Sequence, residues 1–281
     1  MTRLASLHLV HALAAGGLLA GLESVRSEPV LHIERSGWGD ASPEDIRRLL
    51  ISAHSAFRPA FPDLAWPGIS VFRREDTPIT LDRRDAENRV RIGLATRDLF
   101  WSQYVYQYGH ELVHLIAGHL PVERRWSGTD NPVGWFEETL CEVGSLYTLR
   151  TLARSWEEAP PYSNWRDYRH RLAEYAQGRL EAPENRPPAE DAFHAWLMGR
   201  QPQLRAHCCD RAANTQVAAR LLPVFERDPS LWRAVAHLRA SPAGPQAELA
   251  DHLRGWIAAS PPDHHPGLLA LAQALGFAWD P

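Results

Sequence analysis

The chain has 281 residues, enough to bury a sizeable core as one large domain or two small ones. With 44% hydrophobic and 23% charged residues, its composition is that of a globular protein, not of a disordered chain or a coiled coil. The net charge is −4, and the basic residues, all of them Arg, are scattered; no nucleic-acid partner is expected without a basic face.

Residues 1–27 stand apart from the rest of the chain. Arg3 is the sole charge ahead of an apolar stretch that runs to about Leu22, and the first acid is Glu23. A positive start before an apolar run reads as a secretory signal peptide, although His8 and His11 interrupt it and no clean small-residue cleavage site comes after it. Leu4 to Leu22 is also just long enough for an uncleaved N-terminal anchor. Either way the expectation is a secreted or cell-envelope protein, periplasmic or membrane-anchored, that meets a membrane only through this segment.

Pro29 to Glu34 reads as a strand. Ser42-Pro43-Glu44-Asp45 then opens a helix, with a Ser cap, Pro at the first helical position and acids in the first turn; it should stop near Phe57, before Pro59. Gly68 to Arg73 and Arg89 to Ala95 read as strands, with a turn region around Asp76-Thr77-Pro78. From Asp98, taken as a helix cap, long helices take over. The first carries Phe100, Tyr104, Val105, Tyr108, Leu112, Leu115 and Ile116 and ends near Gly118; the second opens at Asn131-Pro132 and reaches about Trp156. Residues 157–164 break the pattern, Tyr168 to Leu180 is helical again, and 181–190 is the clearest linker. Further helices come after it, with breaks at 241–245 and 260–266. The expected fold is therefore α+β: a small mixed N-terminal sheet with a helix, then two long helices and a mainly helical C-terminal lobe. The expected divisions are a leader at 1–27, a core at 28–156 and a lobe at 157–281. Three cysteines, two of them adjacent, make no disulfide framework, and Cys141 is expected to be a buried, inert thiol.

His110-Glu111-Leu112-Val113-His114 carries the chemistry. On a helix, residues four apart lie about 40° apart around the axis and one turn above each other, so both imidazoles reach one ion while Glu111 projects beside them. That is the H-E-x-x-H arrangement of a zinc hydrolase, in which the Glu acts on a metal-bound water. The competing reading is an amphipathic helix with two incidental His residues. A catalytic zinc needs a third protein ligand. His119 is a poor choice, because five residues past His114 it lies about 140° round the helix. The metzincin pattern would place Gly and His where Ala117 and Leu120 stand, which excludes that class.

The segment Trp135-Phe136-Glu137-Glu138 on the next helix is 24 residues past the motif at Glu138. Here the chain resembles the gluzincin metallopeptidases, the thermolysin-like and aminopeptidase-like group, over residues 88–150. The resemblance implies a zincin-like core with Zn²⁺ held by His110, His114 and Glu138, Glu111 as general base, and a peptide or protein as substrate. Glu142 stacks four residues beyond Glu138, as an Asp does in the thermolysin-like group, and is assigned to the outer ring proton of a ligating His; Glu137 is the alternative ligand. The resemblance also implies a substrate-pairing edge strand, placed at Ile92, Gly93, Leu94 and Ala95, for which an ordinary core strand is the competing reading. A Tyr or His should stabilise the oxyanion, with Tyr147, Tyr162, Tyr168, His170, His194 and His207 as candidates. The helix from Asn214 to Leu222 is expected to line the cleft, offering Arg211, Asn214 and Gln216. Two other functions stay open: an inactive zinc-binding or regulatory protein on the same scaffold, and a helical interaction protein with an accidental motif.

Overall fold

The computed structural model describes residues 29–120, 133–241 and 247–279; the leader, Asn131-Pro132 and most of the break after Ser241 lie outside them. The fold is α+β, as the sequence predicts. Strands β1 (Leu31–Ile33), β2 (Ile69–Arg73), β3 (Ile79–Leu81) and β4 (Val90–Leu94) form one sheet in the order β1-β2-β4-β3. β1, β2 and β4 are parallel, whereas β3 is antiparallel to β4. Leu31 and Ile33 are buried around exposed His32, and Val90 and Ile92 are buried around Arg91, so one face meets the core.

Helix α1 (Pro43–Ser55) begins as its sequence dictates, with the Ser42 hydroxyl accepting the Asp45 N–H at 3.0 Å. Its apolar stripe of Ile46, Leu49, Leu50 and Ala53 is fully buried against β1 and the helix after it. That helix, α2 (Trp101–His119), carries the H-E-x-x-H motif and packs on β3, β4 and α1. The expectation that Asp98 caps it fails. Asp98 adopts a left-handed backbone (φ 56°), donates its N–H to the Trp38 carbonyl and accepts the Asp40 N–H at 3.2 Å. It clamps the 37–40 loop and leaves α2 with no side-chain cap.

Helix α3 (Gly134–Ser155) runs antiparallel across α2, and the two make the most extensive helix contact in the fold. Their backbones meet at two glycines. A Cβ on Gly144 would overlap Val113 and sit 3.0 Å from the Gly109 carbonyl; a Cβ on Gly109 would sit 2.7 Å from the Thr148 hydroxyl and 3.0 Å from the Gly144 carbonyl. The Ser145 hydroxyl also bridges the crossing to the Tyr106 carbonyl at 2.8 Å. Beyond α3 come α4 (Arg169–Glu181), α5 (Glu190–Ala206), α6 (Arg211–Arg227), the short α7 (Trp232–Val235), α8 (Leu249–Ala259) and α9 (His265–Ala274). α4 and α6 pack on α3. Buried apolar residues from Leu31 to Leu275 form one contiguous core.

The helix crossing and the buried His54 are both open to test by unfolding. Gly144→Ala should cost about 1–3 kcal/mol, the usual penalty of overpacking, because backbone and a buried Val block the new methyl. Gly134→Ala, at the open start of α3 where a Cβ meets nothing within 4 Å, should be neutral or slightly stabilising; urea unfolding of both variants makes the comparison. His54 is fully buried, with its Nδ1 3.2 Å from the Tyr108 hydroxyl, and burial pushes its pKa down to about 3. The unfolded chain protonates this imidazole near pH ~6.5 while the folded chain leaves it neutral, so stability is lost as pH falls from about 6.5 toward 3. His54→Gln should reduce the slope of unfolding free energy against pH across that window by about 1.4 kcal/mol per unit.

Candidate metal centre

On α2 the residues Gln103, Tyr106, Gln107, His110 and His114 recur at helical spacing and are half-buried, on a helix whose other positions are mostly sealed. They face a cavity of about 570 Å³ between β3, α2, α3, α4 and α6. The predicted metal-directed groups meet on its floor. His110 Nε2 lies 3.3 Å from Glu138 Oε2, and His114 Nε2 lies 3.4 Å from Glu138 Oε1. A tetrahedral ion with ligand bonds of ~2.0–2.1 Å separates its ligand atoms by about 3.3–3.4 Å, and each imidazole stands at that distance from one oxygen of the Glu138 carboxylate. Burial opposes the charge on Glu138, yet hydrogen bonds from His110 and His114 outweigh it and hold the carboxyl well below the usual range.

A second candidate for the third ligand sits behind His114. Ligand atoms of His110, His114 and Cys141 also lie within 4.8 Å of one another. Cys141 is fully buried and does not line the cavity, and its burial pushes the thiol well up, which disfavours the thiolate a metal would need. Glu138 is partly open to the cavity and meets both imidazoles. Openness to the cavity and contact with both imidazoles distinguish Glu138 from Cys141.

The outer ring proton of His114 goes to a different acid from the one expected. Glu137 Oε1 lies 2.8 Å from His114 Nδ1, and the Arg239 guanidinium grips the same carboxylate at 2.9 and 2.5 Å. Burial pushes Glu137 up, but His114 and Arg239 bring its pKa down to about 2. Glu142, assigned to that role from the sequence, points instead toward α4 and α6. It accepts hydrogen bonds from Tyr106, from Arg179 at 3.2 Å and from Thr215 at 3.0 Å. The reason is helical: Glu137 lies about 100° round α3 from Glu138, and that step turns it under His114.

Glu111 is almost fully buried at the cavity wall, and its Oε2 accepts the Thr80 hydroxyl at 2.9 Å. Burial raises its pKa against the pull of both imidazoles and Thr80. The strand expected to be an edge is interior. Ile92, Gly93 and Leu94 belong to β4, which pairs with β2 along its length and with β3 at Arg91, Ile92 and Gly93, and the Ala95 N–H is taken by Gln107 at 2.8 Å. The edge beside the cavity is β3, and Ile79 and Thr80 line it. A three-residue strand next to Pro78 gave too short a pattern to read as one.

None of the predicted oxyanion candidates reaches the cavity. Tyr147 is buried against Phe57 and Trp232, Tyr162 lies under Arg48, the Tyr168 hydroxyl meets Ser102, and His194 meets the Leu275 carbonyl. His170 and His207 are exposed elsewhere. The cavity tyrosines are Tyr106 and Tyr175, and Tyr106 commits its proton to Glu142. The polar stripe of α2 was the available signal for Tyr106. Of the residues expected from α6, Arg211 and Asn214 line the cavity, whereas Gln216 bonds the Glu184 carbonyl outside it.

No protein-family model, curated protein or solved structure matches this chain.

The geometry separates the candidate ligands by experiment. Zinc titrated into the metal-free protein should bind with one site, lose at least a hundredfold in affinity in Glu138→Ala, and bind normally in Cys141→Ala. Arg239→Met frees Glu137 from its anchor, and loss of such outer support should weaken binding about 10–100-fold.

Proposed function

We propose that the chain is a zinc-dependent peptidase of gluzincin type. The observation that carries this reading is the placement of Glu138 within 3.3 and 3.4 Å of the two motif imidazoles, with Glu111 beside them in the same cavity. Two nitrogens and one carboxylate oxygen make a donor set suited to a catalytic zinc with one position left open. When bound, such an ion acidifies water and polarises a carbonyl as a Lewis acid.

The remaining work falls to the chain's own residues. Glu111, held by Thr80, takes the proton of the attacking water and passes it to the leaving amine nitrogen. Its burial keeps the carboxyl basic enough to take that proton. Glu137, clamped by Arg239, holds His114 with Nδ1–H outward and Nε2 toward the cavity. The outer edge of β3 has no strand partner among the described residues, so an extended peptide can add to the sheet there.

Convergence of the motif with a carboxylate from another helix supports this over an accidental motif. A buried, hydrogen-bonded Glu111 supports turnover over mere zinc storage, since a storage site has no use for a base. Secretion or anchoring in the cell envelope rests on the leader at 1–27, which lies outside the described residues. No helix among the described residues is long and apolar enough to cross a membrane.

Glu111→Gln tests the proposal. The variant should keep zinc at wild-type stoichiometry and lose at least ~10²–10⁴-fold in cleavage of a peptide library, the span ascribed to a general base. Wild-type turnover in the variant would reject Glu111 as the base, and a wild type that binds zinc yet cleaves no peptide would reject the peptidase.

A further inference from the structure

The α4 and α6 side of the cavity carries a positive charge that the fold does not neutralise. Two arginines line the cavity. Arg239 is engaged by Glu137. Arg211, the first residue of α6, is exposed and makes no ion pair among the described residues. Glu142, the acid on this wall, is already matched by Arg179 and hydrogen-bonded by Tyr106 and Thr215. The Arg211 charge acts on Tyr106 and Tyr175, whose rings lie 5.7 Å apart on the same wall.

Neutral donors accompany this cation. Gln107 Oε1 is pinned by the Ala95 N–H at 2.8 Å, and Gln103 Oε1 by the Thr96 hydroxyl at 3.3 Å. Both side chains line the cavity with their acceptor atoms occupied, which leaves their amide N–H groups to bond whatever enters. Asn214 accepts the Thr139 hydroxyl at its Oδ1 and gives one N–H to the Cys208 carbonyl. One guanidinium without an ion pair among the described residues and two amide donors lining the same cavity describe a receptor for an anion, and a planar carboxylate is the group an Arg fork fits best.

We infer that Arg211, with Gln103 and Gln107, forms a substrate-carboxylate subsite of this cavity. The inference rests on the peptidase reading and gives it a substrate class: peptides bearing a carboxylate, supplied by a free C-terminus or by an acidic side chain.

Two pairs of N-acetylated pentapeptide pools distinguish these sources. One pair lacks Asp and Glu and compares the free acid with the C-terminal amide. The other is amidated throughout and compares Glu with Gln at one position. Binding is measured by equilibrium dialysis against zinc-loaded Glu111→Gln, and cleavage with the wild type. One carboxylate pool should outbind its neutral counterpart by about ten- to hundredfold, as a charge-assisted pair would give. Adding Arg211→Gln should bring that ratio close to one, and Arg211→Lys should keep part of it; the exposed site keeps folding out of the comparison. Ratios near one in both pairs, ratios that Arg211→Gln does not change, or no binding by any pool would each overturn the subsite. Arg211-dependent binding without cleavage by the wild type leaves the subsite standing and rejects the peptidase, whereas cleavage with no carboxylate preference rejects the subsite alone.

Discussion

The close antiparallel crossing of α2 and α3 is the constraint on which the candidate site depends. Helices with ordinary side chains at the contact stay ~8–10 Å apart. Here Gly109 and Gly144 let each backbone approach the other's carbonyl. His110 comes directly after Gly109, and Glu137 and Glu138 lie about two turns from Gly144 toward the start of α3. Antiparallel direction then brings His114, one turn farther along α2, to the level of Glu137, Glu138 and Cys141. Moving the helices apart by a methyl group would open the 3.3 and 3.4 Å contacts that define the centre.

Three carboxylates within six residues of α3 are sorted by the cations that face them. A buried carboxylate without a partner is costly, so each needs its own compensation. Glu137 has Arg239, Glu142 has Arg179, and Glu138 has two imidazoles in place of an arginine. That difference gives them separate roles. An arginine closes a carboxylate off by filling it with fixed donors, whereas neutral imidazole and carboxylate together can turn their lone pairs on an ion. Glu138 is also the acid of this floor that the cavity reaches between the two motif histidines.

The legible part of the site was the part governed by helix period. Spacing of four placed His110 and His114 together, and a resemblance over Trp135 to Glu138 picked out the carboxylate that meets them. Choosing between Glu137 and Glu142 as the partner of His114 needed the angle at which α3 crosses α2, which no single-helix pattern contains. Arg239, 102 residues from Glu137, was invisible for the same reason. In the sheet, β1, β2 and β4 were readable from their apolar runs, but β3 was hidden by its length of three residues beside Pro78. That omission made β4 look like an edge and carried the substrate strand with it. Asp98 was misread because a local cap pattern and a long-range clamp on the 37–40 loop use the same side-chain oxygen.

β3 also accounts for how the buried Glu111 carboxyl is held. Glu111 faces inward on α2, where an unpartnered carboxyl would be costly, and no arginine is needed to hold it. Thr80 answers the need from the strand side. Its β-branched side chain suits an extended backbone, and its hydroxyl lies 2.9 Å from both the Glu111 carboxylate and the Glu111 carbonyl. One hydroxyl proton serves either acceptor, so the bond to the carboxylate fixes its orientation without closing it into an ion pair. An arginine there would stabilise the charge more strongly and make the carboxylate a poorer proton acceptor. A neutral donor on the edge strand leaves Glu111 ordered and still basic, which is the combination the proposed proton transfer requires.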